Sequence, residues 1–124
     1  MEGLTVDFSD VERVFHDIEI DRLEHKQLAF ISSAYRGDIT SNKAKAREYA
    51  KIAIQRGYIP IVPHLWLTEI LDDNIKAERD LGLEMCLELV ARCDVFLLCG
   101  DVSDGMAKEH EKAIELQKKV IIIF

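Results

Sequence analysis

One carboxylate in this sequence stands where an apolar side chain belongs. Between residues 101 and 113 the chain reads DVSDGMAKEHEKA, following the apolar run Val95–Cys99, which reads as a buried strand. The strand leads through Gly100 into a polar loop holding a second glycine, Gly105, and then into a helix. That order makes an anion-binding geometry. Backbone N–H groups of the first helical turn point outward, with the positive end of the helix dipole behind them. Met106, Glu109, Ala113 and Leu116 fall at i, i+3, i+7 and i+10, so Glu109 shares the stripe that faces the sheet. A carboxylate there costs stability unless it is paired or used. Ionised, it can attack an electrophilic carbon; protonated, it can donate to a leaving group.

Two further loops and one acidic helix face can supply its partners. Ser32, Ser33, Tyr35, Arg36 and Gly37 end an earlier apolar run with hydroxyls, a guanidinium and a flexible amide. Arginine grips phosphate or carboxylate through parallel N–H donors. Ser33 and Arg36, with Ser103 and Gly105 from the later loop, therefore make a candidate anion cradle. Asn42 is either a donor to the first loop or a plain first-turn residue. His64, directly after Pro63, either orients a substrate or bonds backbone; Trp66 either walls a pocket by stacking or covers the core. Asp80, Glu84 and Glu88 recur at i, i+4 and i+8, which is ordinarily a solvated face. If the start of that helix points into the same crevice, Asp80 or Glu84 is the second carboxylate that glycosyl transfer requires.

These residues are positioned by alternating elements. Val11–Lys26 reads as an amphipathic helix with Val11, Val14, Phe15 and Ile18 on one side, and Leu28–Ser32 as the first strand. Ser41 caps a helix over Asn42–Arg56, which Gly57 stops. Tyr58–Val62 is a second strand, placed at a sheet edge by Pro60, which has no N–H to give to a ladder. After the loop Pro63–Leu67, a short helical turn and the acidic pair Asp72–Asp73, a helix is expected over Ala77–Arg92 with Leu83, Cys86, Leu87 and Val90 inward. The strand Val95–Cys99, a helix over Met106–Gln117 and a last strand Val120–Phe124 complete the pattern. This alternation predicts a doubly wound α/β fold: a mostly parallel sheet of four or five strands in a flavodoxin- or Rossmann-like three-layer sandwich. Its ligand crevice lies at the carboxyl ends of the strands, where Ser33–Asp38, Pro63–Asp73 and Gly100–Gly105 converge. Residues 1–26 form an N-terminal helical extension to a single α/β domain over 27–124.

Composition narrows the partners. The chain has 124 residues and a formal net charge of −7, so it lacks the basic face that a nucleic-acid polymer requires. The basic segment Lys43, Lys45, Arg47 and Lys51 is interrupted by Glu48 and reads as a solvated face. No apolar run approaches a membrane span, and the acidic start lacks the features of a signal peptide. The cysteines are odd in number and in apolar surroundings, which fits a reducing, cytoplasmic setting. Cys86 and Cys93 lie seven apart, without the close pairing of a zinc site, and no metal or cofactor is expected. The apolar stripe of the N-terminal helix predicts a homo-oligomer.

The chain resembles the nucleoside 2-deoxyribosyltransferase superfamily, especially its small uncharacterised bacterial and phage members, over residues 28 to 124. The resemblance rests on Ile31–Gly37, Pro60–Leu65, Glu78–Leu83, Cys93-Asp94 and the spacing of Ser103, Gly105, Met106, Glu109 and Ala113. It implies that Glu109, four residues before the small Ala113, is the nucleophile of N-glycosidic bond cleavage. It also implies that Ser103, six residues earlier, binds ribose or a 5′-phosphate. Members with an acid there handle nucleosides and the nucleotide hydrolases carry serine, so Ser103 with Ser33 and Arg36 implies a 5′-phosphorylated substrate. Gly37, His64, Gly105 and Met106 complete the set of candidate binding residues. The family's nucleophile-positioning tyrosine in the first strand is replaced here by Ala29-Phe30, which leaves Tyr35 for that role. The acid that protonates the leaving base falls to Asp80 or Glu84. The expected activity is a nucleoside or nucleotide hydrolase or deoxyribosyltransferase. The alternative is a nucleotide-binding or sensing domain without catalysis.

Overall fold

The computed structural model describes residues 26–124. Four parallel strands, β1 (Leu28–Ser32), β2 (Ile59–Ile61), β3 (Val95–Cys99) and β4 (Lys119–Ile123), form one sheet in the order β2-β1-β3-β4. They are joined by three helices, α1 (Ile39–Gln55), α2 (Lys76–Arg92) and α3 (Asp104–Glu115), with 3-10 turns over Pro63–Leu65 and Leu67–Glu69 ahead of α2. Helices cover both faces, so the fold is the expected α/β sandwich. The helix expected over 11–26, and the oligomer contact read from it, lie outside the described residues except for Lys26. No helix among the described residues is long and apolar enough to cross a membrane.

The strand sequences explain the layering. All five residues of β3 are buried, because a central parallel strand is covered on both sides. Its alternate residues serve two cores. Phe96 and Leu98 join Phe30, Cys86, Val90, Met106 and Ala113 beneath α2 and α3. Val95, Leu97 and Cys99 join Ala29, Ile31 and Ala53 on the α1 side. Phe30 and Phe96 are register partners whose rings stack 5.6 Å apart, each burial contributing about 1.5–3 kcal/mol. At the edge, β2 carries Pro60 and is cut to Ile59–Ile61, two residues shorter than expected. At the other edge, Ile122 of β4 and Phe124, the residue after the strand, are exposed.

Helix starts differ from the sequence reading. α1 begins at Ile39 because the Asp38 carboxylate accepts the Ser41 N–H at 3.1 Å, so Asp38, not Ser41, is the cap. α3 begins at Asp104 because the Ser103 hydroxyl accepts the Met106 N–H at 3.3 Å. Glycine does end α1: Gly57 has φ +88°, a left-handed turn that lets the chain enter β2. The three cysteines are free and buried.

The chain goes from β1 to β2 on one side and passes back across β1 to reach β3 on the other. The loops after β1 and β3 therefore diverge, and a crevice opens between them at the carboxyl edge.

Candidate functional site

That crevice is a cavity of about 520 Å³, bounded by the loop after β1, the 3-10 turns, the first half of α2 and the start of α3. Glu109 lies at its floor. Met106 and Ala113, on the same stripe of α3, are buried in the core and fix the helix against the sheet, leaving Glu109 only 4 % exposed. The stripe ends there: Leu116 caps the helix and is exposed. The Ser32 hydroxyl at the end of β1 donates to Glu109 Oε1 at 2.7 Å. The Cys86 thiol on α2 lines the cavity beside the same carboxyl group and, like Ser32, favours its charged form. Burial outweighs both and pushes the Glu109 carboxyl up to about 7, so charged and neutral forms coexist near neutrality. In return the Cys86 thiol is pushed up to about 12, by burial first and then by the Glu109 charge.

The mouth is built differently. Asp80 lines it, exposed, and bonds to Lys76 Nζ at 2.6 Å; that bond holds its carboxyl below the usual range. Glu84 is exposed and does not reach the cavity, so only Asp80 remains of the two candidate acids. The reason is the helical period. Residues four apart rotate about 40° around the helix axis per step, and the acidic row drifts from crevice to solvent.

The first loop is held by Asn42, whose side-chain amide donates to the carbonyls of Tyr35 at 3.1 Å and Arg36 at 3.0 Å. The Tyr35 ring lies 5.3 Å from the His64 ring in the cavity wall. Burial holds the His64 imidazole below its usual range, opposed by the Ser33 backbone beside it and by Asp73. His64 thus faces the cavity with backbone of the first loop beside it. Ser32, not Tyr35, holds Glu109, because the hydroxyl at the strand end is the one aimed at α3.

The expected anion cradle is only partly assembled. Arg36 lines the cavity but its Nε is paired with Asp73 at 3.0 Å. Ser103 and Gly105 line it too, yet the Ser103 hydroxyl is engaged as the α3 cap, and Gly105 offers open backbone. Met106 contributes no free polar group: its side chain is in the core and its sulfur accepts the Ser103 N–H at 3.4 Å. Ser33 is 1 % exposed and absent from the cavity wall, one residue past Ser32 and so on the next pleat. Its hydroxyl has no partner among the described residues. Gly37, at φ +101°, faces a neighbouring groove beyond Arg36. Trp66, at 47 % exposed, belongs to neither core nor cavity.

Arg79 and Lys108 join Arg36 as the cavity's basic residues, against the acids Asp73, Glu78, Asp80, Asp104 and Glu109. Acids therefore outnumber bases, and an anionic ligand must be captured at close range. Sequence reasoning missed Cys86 as the cavity neighbour of Glu109, Asp73 as the partner of Arg36, and Arg79 and Lys108. Cys86 was legible only as a core residue of the inward stripe, and its neighbour is set by how α2 meets α3.

Residues 27–123 match a family described as a domain of unknown function (DUF7768), and the chain belongs to that family. No curated protein matches the chain.

Proposed function

We propose that this member of the DUF7768 family cleaves the N-glycosidic bond of a nucleoside or nucleotide, by hydrolysis or by transfer to another base. The buried, polar-held Glu109 at the floor of an open cavity carries this reading. Its ionised Oε1 or Oε2 attacks the anomeric carbon; the C–N bond breaks and its electron pair leaves with the base. The base nitrogen takes a proton from Asp80 or from water at the mouth. Water or a second base then displaces the sugar from the ester and restores the carboxylate. Attack requires the charged form, so activity rises as pH passes upward through about 7.

For a 5′-phosphorylated substrate, Arg36 exchanges the Asp73 carboxylate for phosphate, beside the open backbone at Gly105. The three free, buried cysteines support a reducing, cytoplasmic setting. Incubation with nucleosides and their 5′-monophosphates, with free base read by chromatography, tests the proposal. Release of base from none of them would overturn it.

A second reading, a nucleotide-binding or sensing domain, is favoured by one observation: Asp80, the candidate acid, is held charged by Lys76. Saturable nucleotide binding with no base release distinguishes it.

A further inference from the structure

A hydroxyl and a thiol meet Glu109 from two separate elements, the hydroxyl of Ser32 by a hydrogen bond of 2.7 Å and the thiol of Cys86 as its neighbour in the cavity wall. Ser32 is fully buried at the last position of β1, where Leu98 on β3 is its register partner. Cys86 is buried on the face of α2 that joins the core beneath α3, and it also lines the cavity. The carboxylate they meet is carried on a helix fixed by Met106 and Ala113 on either side. All parts of this triangle are therefore anchored in core packing, not in loops.

We propose that Ser32 and Cys86 are positioning residues that fix the Glu109 carboxylate and favour its charged form, a role that rests on Glu109 acting as the nucleophile. A hydroxyl enclosed at a strand end cannot trade this bond for one to bulk water, so its donor stays aimed at Oε1. The thiol is a weaker donor, and it keeps its proton over the whole working range because its own ionisation is pushed up to about 12. Neither group touches the reacting carbon; both act through the carboxylate. Holding an attacking oxygen in one rotamer saves the entropy of orienting it in the transition state.

Other charged groups face the same cavity. Glu78, Arg79 and Asp80 come from α2, and Asp104 and Lys108 from α3 itself. Arg36 and Asp73 come from the loops, and the 3-10 turns bring His64. Of these only an imidazole ordinarily titrates near neutrality, and burial moves that of His64 downward. A transition that moves upward from about 7 therefore belongs to Glu109.

The test is a carbon-13 NMR titration of the Glu109 carboxyl, assigned by its absence in Glu109→Gln. It compares the wild type with Ser32→Ala, Cys86→Ala, Cys86→Ser and the double alanine variant. Ser32→Ala is expected to move the midpoint up by about one pH unit, a tenfold loss of the charged form at fixed pH. Cys86→Ala should move it up by less, and the double variant by more than either. Cys86→Ser, which keeps a donor, should stay near the wild type. In base-release assays the pH profiles should move by the same amounts, with the rate recovered in part at high pH, where the carboxylate is charged but less well oriented. A merely structural role would lower the rate at every pH without moving the midpoint. Unmoved midpoints in both single variants would overturn the proposal; should Ser32→Ala fail to fold, the Cys86 pair decides it. If wild-type protein releases no base while the midpoints move as expected, the nucleophile reading fails and the placement of the donors stands.

Discussion

Two carboxylates share one cavity in opposite surroundings. Glu109 lies at the floor, buried among core side chains, held by the Ser32 hydroxyl with the Cys86 thiol beside it, and its carboxyl is raised to about 7. Asp80 stands at the mouth, in water, paired with Lys76 and held below its usual range. The sequence chemistry of the two is nearly the same; solvent and partners separate them. An acid and a nucleophile need opposed protonation states. In the ligand-free cavity the opposition runs the other way, with the deep group partly neutral and the exposed one charged. A base seated over Asp80 would exclude water and loosen its pair with Lys76, which moves its carboxyl toward the protonated state the reaction needs.

The largest expected effect lies at the floor. Glu109→Gln keeps shape and the bond from Ser32 but removes the attacking charge, so base release should fall by orders of magnitude with the fold intact, as steady-state assays and circular dichroism would check. A wild-type rate in this variant would remove Glu109 from the chemistry. The same substitution should also stabilise the protein. The folded carboxyl sits at about 7 against an ordinary 4.5 in the unfolded chain, so below 4.5 both states are protonated and nothing is lost. As pH rises from there, the unfolded state ionises first and stability falls, levelling off above about 7. At about pH 8 the gain for Glu109→Gln should be on the order of 3 kcal/mol, vanishing near pH 4, as denaturant melts at the two pH values would read.

Effects at the mouth should be smaller and more selective. Arg36→Ala should weaken a 5′-monophosphate by about 1.5–3 kcal/mol, the range for hydrogen bonds to charged groups, and leave the nucleoside nearly unchanged in calorimetry. Equal losses for both would detach Arg36 from phosphate. Smallest of all, Glu84→Gln should alter neither base release nor melting temperature, since Glu84 is exposed and away from the cavity. A clear loss of release there would return Glu84 to the site.

The fold was legible because its signals are local. Val95–Cys99 is apolar throughout and could only be a strand buried on both faces, and Pro60 marked its strand as an edge. Glu109 was legible for the same reason, a polar residue breaking an apolar stripe. Helix starts were less so, because Asp38 and Ser41 are both good caps three residues apart and only the backbone geometry selects one. The parts of the site that escaped are tertiary. Nothing near Ser32 in sequence announces a carboxylate 77 residues away, and nothing near Cys86 announces that α2 turns it toward α3. Glu84 misled because a row at every fourth residue looks like a single face, although the helix turns away beneath it.

The most direct measurement is mass spectrometry of the protein quenched during turnover with a 2′-fluorinated nucleoside or its 5′-monophosphate, whose glycosyl ester is slow to hydrolyse. A mass increase equal to the fluorinated sugar, located on the peptide containing Glu109 and absent from Glu109→Gln, is the predicted result. Base release with no adduct, or an adduct on another residue such as Asp80, would contradict the account.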